Sequence, residues 1–209
     1  MTGGGRGIGR SLALAREGAS VAISARTEPE LEAVAAEIRG LGRQALPVRA
    51  DAMSFDDLRA CAETISQRLG PVNILVNNAG GGVRIENSEG LSAAALDDRR
   101  FVADLELNLV SAYRASSAVL APMVERRHGR IINIGSGFAK RSGGGPAYSA
   151  AKHGLIGLTR SLAAHVAEKG VTINCLCPGW TNTKLVDLRA DGGDSEDLGR
   201  RGARANRGR

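Results

Sequence analysis

Thr2-Gly3-Gly4-Gly5-Arg6-Gly7-Ile8-Gly9 is followed at once by a helix-length stretch, Ile8 to Glu17, and then by a strand-length apolar run, Ala19 to Ala25. A glycine-rich turn that opens a helix brings backbone N–H groups and the positive helix end toward a phosphate. Glycine-rich turns also serve as plain tight connections, so the rest of the chain has to decide between the two. Outward from this turn, strand-length apolar runs alternate with segments of helical period. Further strands are expected at Gln44 to Ala50, Asn73 to Asn77, Arg130 to Ile134 and Val171 to Leu176. Helices are expected at Pro29 to Leu41, Phe55 to Leu69, a long one from Leu96 to Arg127 with a kink at Pro122, and Tyr148 to Glu168. Ser54 is placed to cap the third of the five, and Pro29 suits a first helical turn. Strands apolar on both faces and alternating with helices imply an α/β fold: a doubly wound parallel sheet covered on each side.

The 209 residues, 43% hydrophobic, suffice for one sizeable core. No apolar run approaches the roughly 20 residues that cross a bilayer, and the amino terminus has no signal-peptide pattern, so a cytoplasmic protein without membrane contact is expected. The net charge of +6 is local: Arg200, Arg201, Arg204, Arg207 and Arg209 supply five charges, leaving +1 on the first 199 residues. Nucleic-acid binding through that tail is the weakest of the functional readings, and no nucleic-acid partner is expected. The last segment, residues 187–209, is rich in Gly, Asp and Arg and is expected to be disordered, beside a catalytic domain over residues 1–186. Cys61, Cys175 and Cys177 with three scattered histidines give no metal spacing. Cys175 and Cys177 alternate along an apolar strand and are expected to pack in the core.

The chemistry is concentrated downstream. Tyr148 and Lys152 lie four apart and share a helix face, and a nearby ammonium favours a phenolate, which suits Tyr148 to donating and accepting a proton. Ser136 stands twelve residues before Tyr148. A Tyr–Lys pair is also an ordinary solvated helix face, and singly each of these residues has a bland alternative.

Taken together, Thr2-Gly3-x-x-x-Gly7-Ile8-Gly9, Asp51, Asn77-Asn78-Ala79-Gly80, Asn108, Ser136, Tyr148-x-x-x-Lys152 and Pro178-Gly179 with Thr181 and Thr183 resemble the short-chain dehydrogenase/reductase family, from Thr2 to about Leu185. The resemblance extends, in a general way only, to its 3-oxoacyl-acyl-carrier-protein reductase-like members. It implies a Rossmann-like fold and hydride transfer between NADP(H) and a carbonyl or secondary alcohol. Tyr148 would pass the proton, Ser136 would hydrogen-bond the substrate oxygen, Lys152 would bind the nicotinamide ribose and tune Tyr148, and Asn108 would hold a water that links Lys152 to solvent. Gly3, Arg6, Gly7, Ile8, Gly9, Arg26, Asp51, Ala52, Asn78, Tyr148, Lys152, Pro178, Gly179, Thr181 and Thr183 would contact the cofactor; no metal is implied. Asn77 would tie its strand to the cofactor loop. Arg26 in Ser24-Ala25-Arg26-Thr27, with no acid before Glu28, and Arg6 in the turn favour NADP(H), with NAD(H) as the lesser option. A homo-oligomer is expected of a full-length member.

The pattern departs from the family in three places. Ser136 is twelve rather than thirteen residues before the tyrosine, with Gly143-Gly144-Gly145 between; Asn73 replaces a common aspartate; and Asp191-Gly192-Gly193 comes too soon to be the similar motif near the family's end. The buried strand that precedes the family's glycine-rich turn and its final strand are both expected to be missing. Met1 stands where the family often has Val, which suits a start placed inside a longer reading frame. About five buried aliphatic residues are worth roughly 8–15 kcal/mol, as much as a whole domain's stability. A poorly stable, weakly active chain is therefore expected. A truncated cofactor-binding protein without turnover is the alternative function.

Overall fold

A computed structural model describes residues 1–81, 98–141, 145–179 and 181. Five strands, all in parallel pairs, alternate with helices: β1 Val21–Ala25, β2 Ala45–Arg49, β3 Ile74–Asn77, β4 Gly129–Ile134 and β5 Val171–Leu176. The helices are α1 Leu12–Arg16, α2 Glu28–Gly40, α3 Phe55–Leu69, α4 Asp98–Leu105, α5 Ser111–Glu125 and α6 Pro146–Val166. Start signals in the sequence act as expected. Pro29 sits in the first turn of α2. The Ser54 hydroxyl accepts from the Asp57 N–H at 3.2 Å and caps α3, whose first turn carries Asp56 and Asp57 where the helix dipole favours anions.

Two expected helices differ. The stretch Ile8 to Glu17 is not one helix: a 3₁₀ turn, Gly7–Arg10, is separated from α1 by Ser11 in the left-handed region, φ 55°. The Ser11 hydroxyl donates to the Gly9 carbonyl at 3.3 Å, a local bond that competes with helix continuation. The long helix is broken at Glu106–Val110, which forms a π turn between α4 and α5, and not at Pro122, beyond which α5 runs on to Glu125. Leu96 and the expected tail, residues 187–209, lie outside the described residues.

Two apolar cores hold the layers. Val21 and Ile23 of β1 pack with Ala15 of α1 and Leu31, Val34, Ala35 and Ile38 of α2. Leu75, Ile131 and Ile173 of β3, β4 and β5 pack with Leu58 of α3, Val119 and Met123 of α5 and Val166 of α6. Strand β5 buries Val171 and Ile173 while Thr172 and Asn174 are exposed, so this strand alternates where burial on both faces was expected.

Among the described residues the sheet is in two parts, β1-β2 and β3-β4-β5. Of the described residues, Met1 and Thr2 span the space between them. Ser24 N–H donates to the Met1 carbonyl at 3.0 Å, and Thr2 N–H donates to the Val76 carbonyl at 3.0 Å, so these two residues pair with β1 on one side and β3 on the other. Beyond them a cavity of about 390 Å³ opens between β1 and β3, lined by Val21, Leu58, Ile65, Leu75, Ala115 and Val119 among others. The Met1 amino group points into the sheet and donates to the Ala22 carbonyl at 2.8 Å. Burial lowers its pKa from 8.0 to about 6.

Candidate functional site

Ligands of doubly wound sheets lie outside the carboxyl ends of the strands, at the point where the order reverses. Four of the expected groups follow strands in this way: Asn78 to Gly80 after β3, Ser136 after β4, Pro178 and Gly179 after β5, and Asp51 after β2. The glycine-rich turn is joined to them by Asn78 and Thr2. Asn78 Nδ2 donates to the Thr2 and Gly3 carbonyls, both at 3.2 Å. The Thr2 hydroxyl accepts from the N–H groups of Asn78 and Ala79, at 3.0 and 3.1 Å. A Cβ at Gly9 would strike the Gly3 carbonyl and lie 2.6 Å from Asn78 Nδ2, so no side chain fits there. The folded turn leaves Arg6, Gly7 and Ile8 exposed.

Asn77 does not have the expected role of holding the cofactor loop; its neighbour does. Asn77 Nδ2 instead donates to Asn133 Oδ1 at 2.8 Å, to Ser116 Oγ at 3.0 Å and to the Ala112 carbonyl at 3.3 Å, joining β3 to β4 and α5. Asn133 Nδ2 then donates to Thr159 Oγ1 of α6 at 2.9 Å. This buried polar chain sets the strand ends against α5, which follows the π turn of Asn108, and α6, which carries Lys152. Sequence reasoning missed it, although Asn133 in the middle of Arg130-Ile131-Ile132-Asn133-Ile134 is a polar interruption of an apolar strand.

Lys152 is the electrostatic centre. It is buried, and its ammonium donates to the Ile134 carbonyl at 2.8 Å, two residues before Ser136. Burial lowers its pKa from 10.5 to about 8, against a smaller opposing effect of the Cys175 and Cys177 thiols. Nζ lies 5.7 Å from the centre of the Tyr148 ring, as a spacing of four on α6 requires. On its other side a Cβ at Gly80 would be 3.2 Å from Lys152 Nζ and 2.8 Å from Asn108 Oδ1, so Gly80 is the spacer between these two groups. Asn108, in the π turn, donates to the carbonyls of Gly81 and Asp104 at 2.7 and 2.9 Å and accepts from the Gly81 N–H at 2.9 Å. Both its amide protons are committed, and among the described residues Oδ1 accepts one hydrogen bond of the two it can take. Such π turns occur often at functional sites.

The Ser136 hydroxyl accepts from the Phe138 N–H at 3.2 Å and begins the 3₁₀ turn Gly137–Ala139. That turn is held to α6 by Ser149 Oγ, which donates to the Phe138 carbonyl at 3.3 Å, and to the segment after β5 by Gly137 N–H, which donates to the Pro178 carbonyl at 2.9 Å. The structure thus gathers Asn108 and Lys152 about Gly80, with the Tyr148 ring next to Lys152 and the Ser136 turn tied to the same helix. Other expected residues lie further out. Asp51 uses a carboxylate oxygen to accept from Met53 N–H at 2.9 Å, with Ala52 in the turn between them. Arg26 is exposed after β1, and Arg6 reaches Glu30 at 3.9 Å across an exposed pair worth little by itself. Thr181 is exposed, and Thr183 lies outside the described residues. Cys175 and Cys177 are not core residues as expected: they are half-buried, at and just past the end of β5.

Comparison with known proteins matches residues 1–192 to the family described as short chain dehydrogenase. The chain belongs to the short-chain dehydrogenase/reductase family. It is 38% identical over 194 residues to the 3-oxoacyl-acyl-carrier-protein reductase FabG of Escherichia coli K12, covering 91% of this chain and 76% of that protein. It is 36% identical over 191 residues to a putative ketoacyl reductase of Streptomyces coelicolor, covering 89% and 71%. Among solved structures, a tryptophan variant of actinorhodin polyketide ketoreductase with NADPH superposes with a TM-score of 0.82 at 36% identity, over 92% of this chain and 74% of that one. A metagenomic short-chain oxidoreductase in complex with NADP gives 0.77 at 33% identity, over 86% and 80%. The expected α/β, Rossmann-like class is therefore correct. No helix among the described residues is long and apolar enough to cross a membrane.

Proposed function

We propose that this chain is a carbonyl reductase that uses NADP(H), with Tyr148 as the group that exchanges a proton with the substrate oxygen. The observation that carries the reading is the buried Lys152, held between the Ile134 carbonyl and the Asn108–Gly80 contact, beneath the Tyr148 ring. A lysine whose proton is loosened to about 8 by burial is available to relay one near neutral pH. Tyr148 donates its phenolic proton to the carbonyl oxygen as that oxygen gains negative charge, and the adjacent Lys152 ammonium stabilises the phenolate that remains. Ser136 hydrogen-bonds the same oxygen. Asn108 Oδ1 accepts from a water that resupplies Lys152. Bound NADPH supplies the hydride.

The residues present fit that cofactor. The turn around Gly3 to Gly9 is too tight for side chains at Gly9 and exposes its backbone at Arg6 to Ile8, as the approach of a pyrophosphate requires. Arg26 follows β1, where a basic side chain accommodates the 2′-phosphate, and the two solved relatives hold NADPH and NADP. The names of the relatives in Escherichia coli and Streptomyces coelicolor favour a 3-oxoacyl or polyketide carbonyl as the substrate class. Exposed Phe101 and Val102 of α4 and Tyr113 of α5 favour self-association, the oligomer expected from the resemblance.

The test is Tyr148→Phe assayed by NADPH oxidation with a 3-oxoacyl thioester. Turnover is expected to fall by about 10²-fold or more, with NADPH affinity retained; substantial activity in this variant refutes the assignment. Cofactor binding without turnover in the unaltered protein would instead support the non-catalytic reading. Arg26→Asp is expected to weaken NADPH more than NADH, and equal affinities of the unaltered protein for the two would refute the cofactor choice.

A further inference from the structure

Cys175 is the fifth residue of β5, and Cys177 follows just past its end. Residues two apart on an extended chain point to the same side, and here both thiols turn toward Gly135 of the neighbouring segment. A Cβ at Gly135 would lie 2.9 Å from each sulfur. The two sulfurs are 3.9 Å apart, and both residues are half-buried. Cys61, in contrast, is buried in α3. The pair also lies close enough to Lys152 for its charge to be felt by that ammonium. Two half-buried thiols in contact form a chemical group that hydride transfer does not use; burial and the neighbouring Cys177 hold the Cys175 thiol above its ordinary pKa, so the contact between the sulfurs carries the site.

We propose that Cys175 and Cys177 are a reversible dithiol–disulfide site, oxidised by hydroperoxides, that controls the adjacent Ser136 turn. One thiolate attacks the peroxide and becomes a sulfenic acid as the peroxide O–O bond breaks and an alcohol or water leaves. The second thiol then displaces water from that sulfur. In all, two thiols and one hydroperoxide give one disulfide, one alcohol and one water, and the two electrons come from the sulfur pair. Thiol–disulfide exchange with a small dithiol reverses it.

Closing the sulfurs from 3.9 Å to a bonded separation of about 2.05 Å requires each to move by about 1 Å. A strand residue and its next-but-one neighbour are roughly 6.6 Å apart at Cα, near the upper limit of about 6.8 Å for a disulfide. The bridge therefore draws the chain inward at Cys177, where strand pairing has ended. Two hydrogen bonds oppose that movement, Gly135 N–H to the Leu176 carbonyl at 2.7 Å and Gly137 N–H to the Pro178 carbonyl at 2.9 Å. These two bonds flank Ser136. Oxidation shifts Ser136 and Pro178 relative to Tyr148, and the loss of turnover that follows rests on the reductase reading given above.

The experiment treats the purified 209-residue protein with hydrogen peroxide, alkylates it under denaturing conditions and measures the peptide that contains both residues. The expected result is a loss of about 2 Da with both thiols protected, reversed by dithiothreitol, and absent in Cys175→Ser and in Cys177→Ser. Persistent free thiols, sulfinic acids without a bridge, or pairing with Cys61 would each overturn the site. In parallel, NADPH-dependent turnover is expected to drop about tenfold or more on oxidation, to return on reduction, and to resist the same peroxide treatment in Cys177→Ser. A bridge that leaves turnover unchanged overturns the control. A bridge in a protein that has no turnover in either state leaves the thiol site standing and refutes the reductase function instead.

Discussion

The space between β1 and β3 makes a quantitative prediction about stability. Met1 and Thr2 already hydrogen-bond to both strands, and the cavity beyond them, about 390 Å³, is lined largely by aliphatic side chains. An engineered extension of five aliphatic residues placed before Met1 is expected to continue this pairing as a strand parallel to both neighbours. Burying five such side chains is worth about 8–15 kcal/mol, and ordering five residues costs roughly 5–10 kcal/mol, a mid-range gain of about 4 kcal/mol. The extension also moves the amino terminus out of the sheet. At present its pKa falls from 8.0 unfolded to about 6 folded, so folding expels a proton between those values, and stability is lost as pH falls through 6. At pH 7 relief of this penalty adds about 1.4 kcal/mol.

The assay is thermal unfolding of the parent, the aliphatic extension and a Gly/Ser extension of equal length. At roughly 2–4 °C per kcal/mol, the aliphatic form is expected to melt about 10–20 °C above the parent. The Gly/Ser form gains only the ammonium relief, about 3–6 °C by the same conversion. The parent should also become more stable between pH 6 and 8, and the extended forms should lose that slope. Equal melting temperatures for the two extensions would refute the claim that the cavity accepts a strand.

Three further outcomes follow from the site. Gly80→Ala places a methyl 2.8 Å from Asn108 Oδ1 and 3.2 Å from Lys152 Nζ, so turnover should fall about tenfold or more with little change in NADPH affinity; an unaltered rate shows that the spacing is unimportant. Because the Lys152 pKa is lowered from 10.5 to about 8, its folded form releases a proton first, and its contribution to stability should rise by about 3 kcal/mol from pH 8 to above pH 10.5 and be lost as pH falls through 8. Denaturant titrations of the unaltered protein and Lys152→Met across that range should diverge accordingly, and parallel curves contradict the burial effect. Asn133→Leu removes one acceptor of Asn77 Nδ2 and the donor to Thr159 Oγ1, and should cost about 1–3 kcal/mol in urea unfolding; a neutral effect means the buried chain does not hold the strands.

The parts of this protein that were legible in its sequence are those whose signal is local. The four-residue step from Tyr148 to Lys152 is a helix repeat, Ser54 caps the turn that follows it, and each strand is a short apolar run, so all are recoverable from neighbours along the chain. What was misread depends on contacts between distant segments. The tie expected of Asn77 is made by Asn78 because adjacent residues of a strand end face opposite ways, and only the packed sheet reveals which side meets α5 and which meets the glycine-rich turn. The helix break fell at Glu106–Val110 because there Asn108 bonds to Gly81, 27 residues away, whereas Pro122 sits where α5 can accommodate it. Cys175 and Cys177 looked like core residues from alternation alone, yet β5 is buried on one face, and their end of the strand meets Lys152 and Gly135. The same non-local contacts fix the chemistry: the lysine is legible, but its loosened proton depends on burial between α6, β4 and Gly80, which no spacing along the chain records.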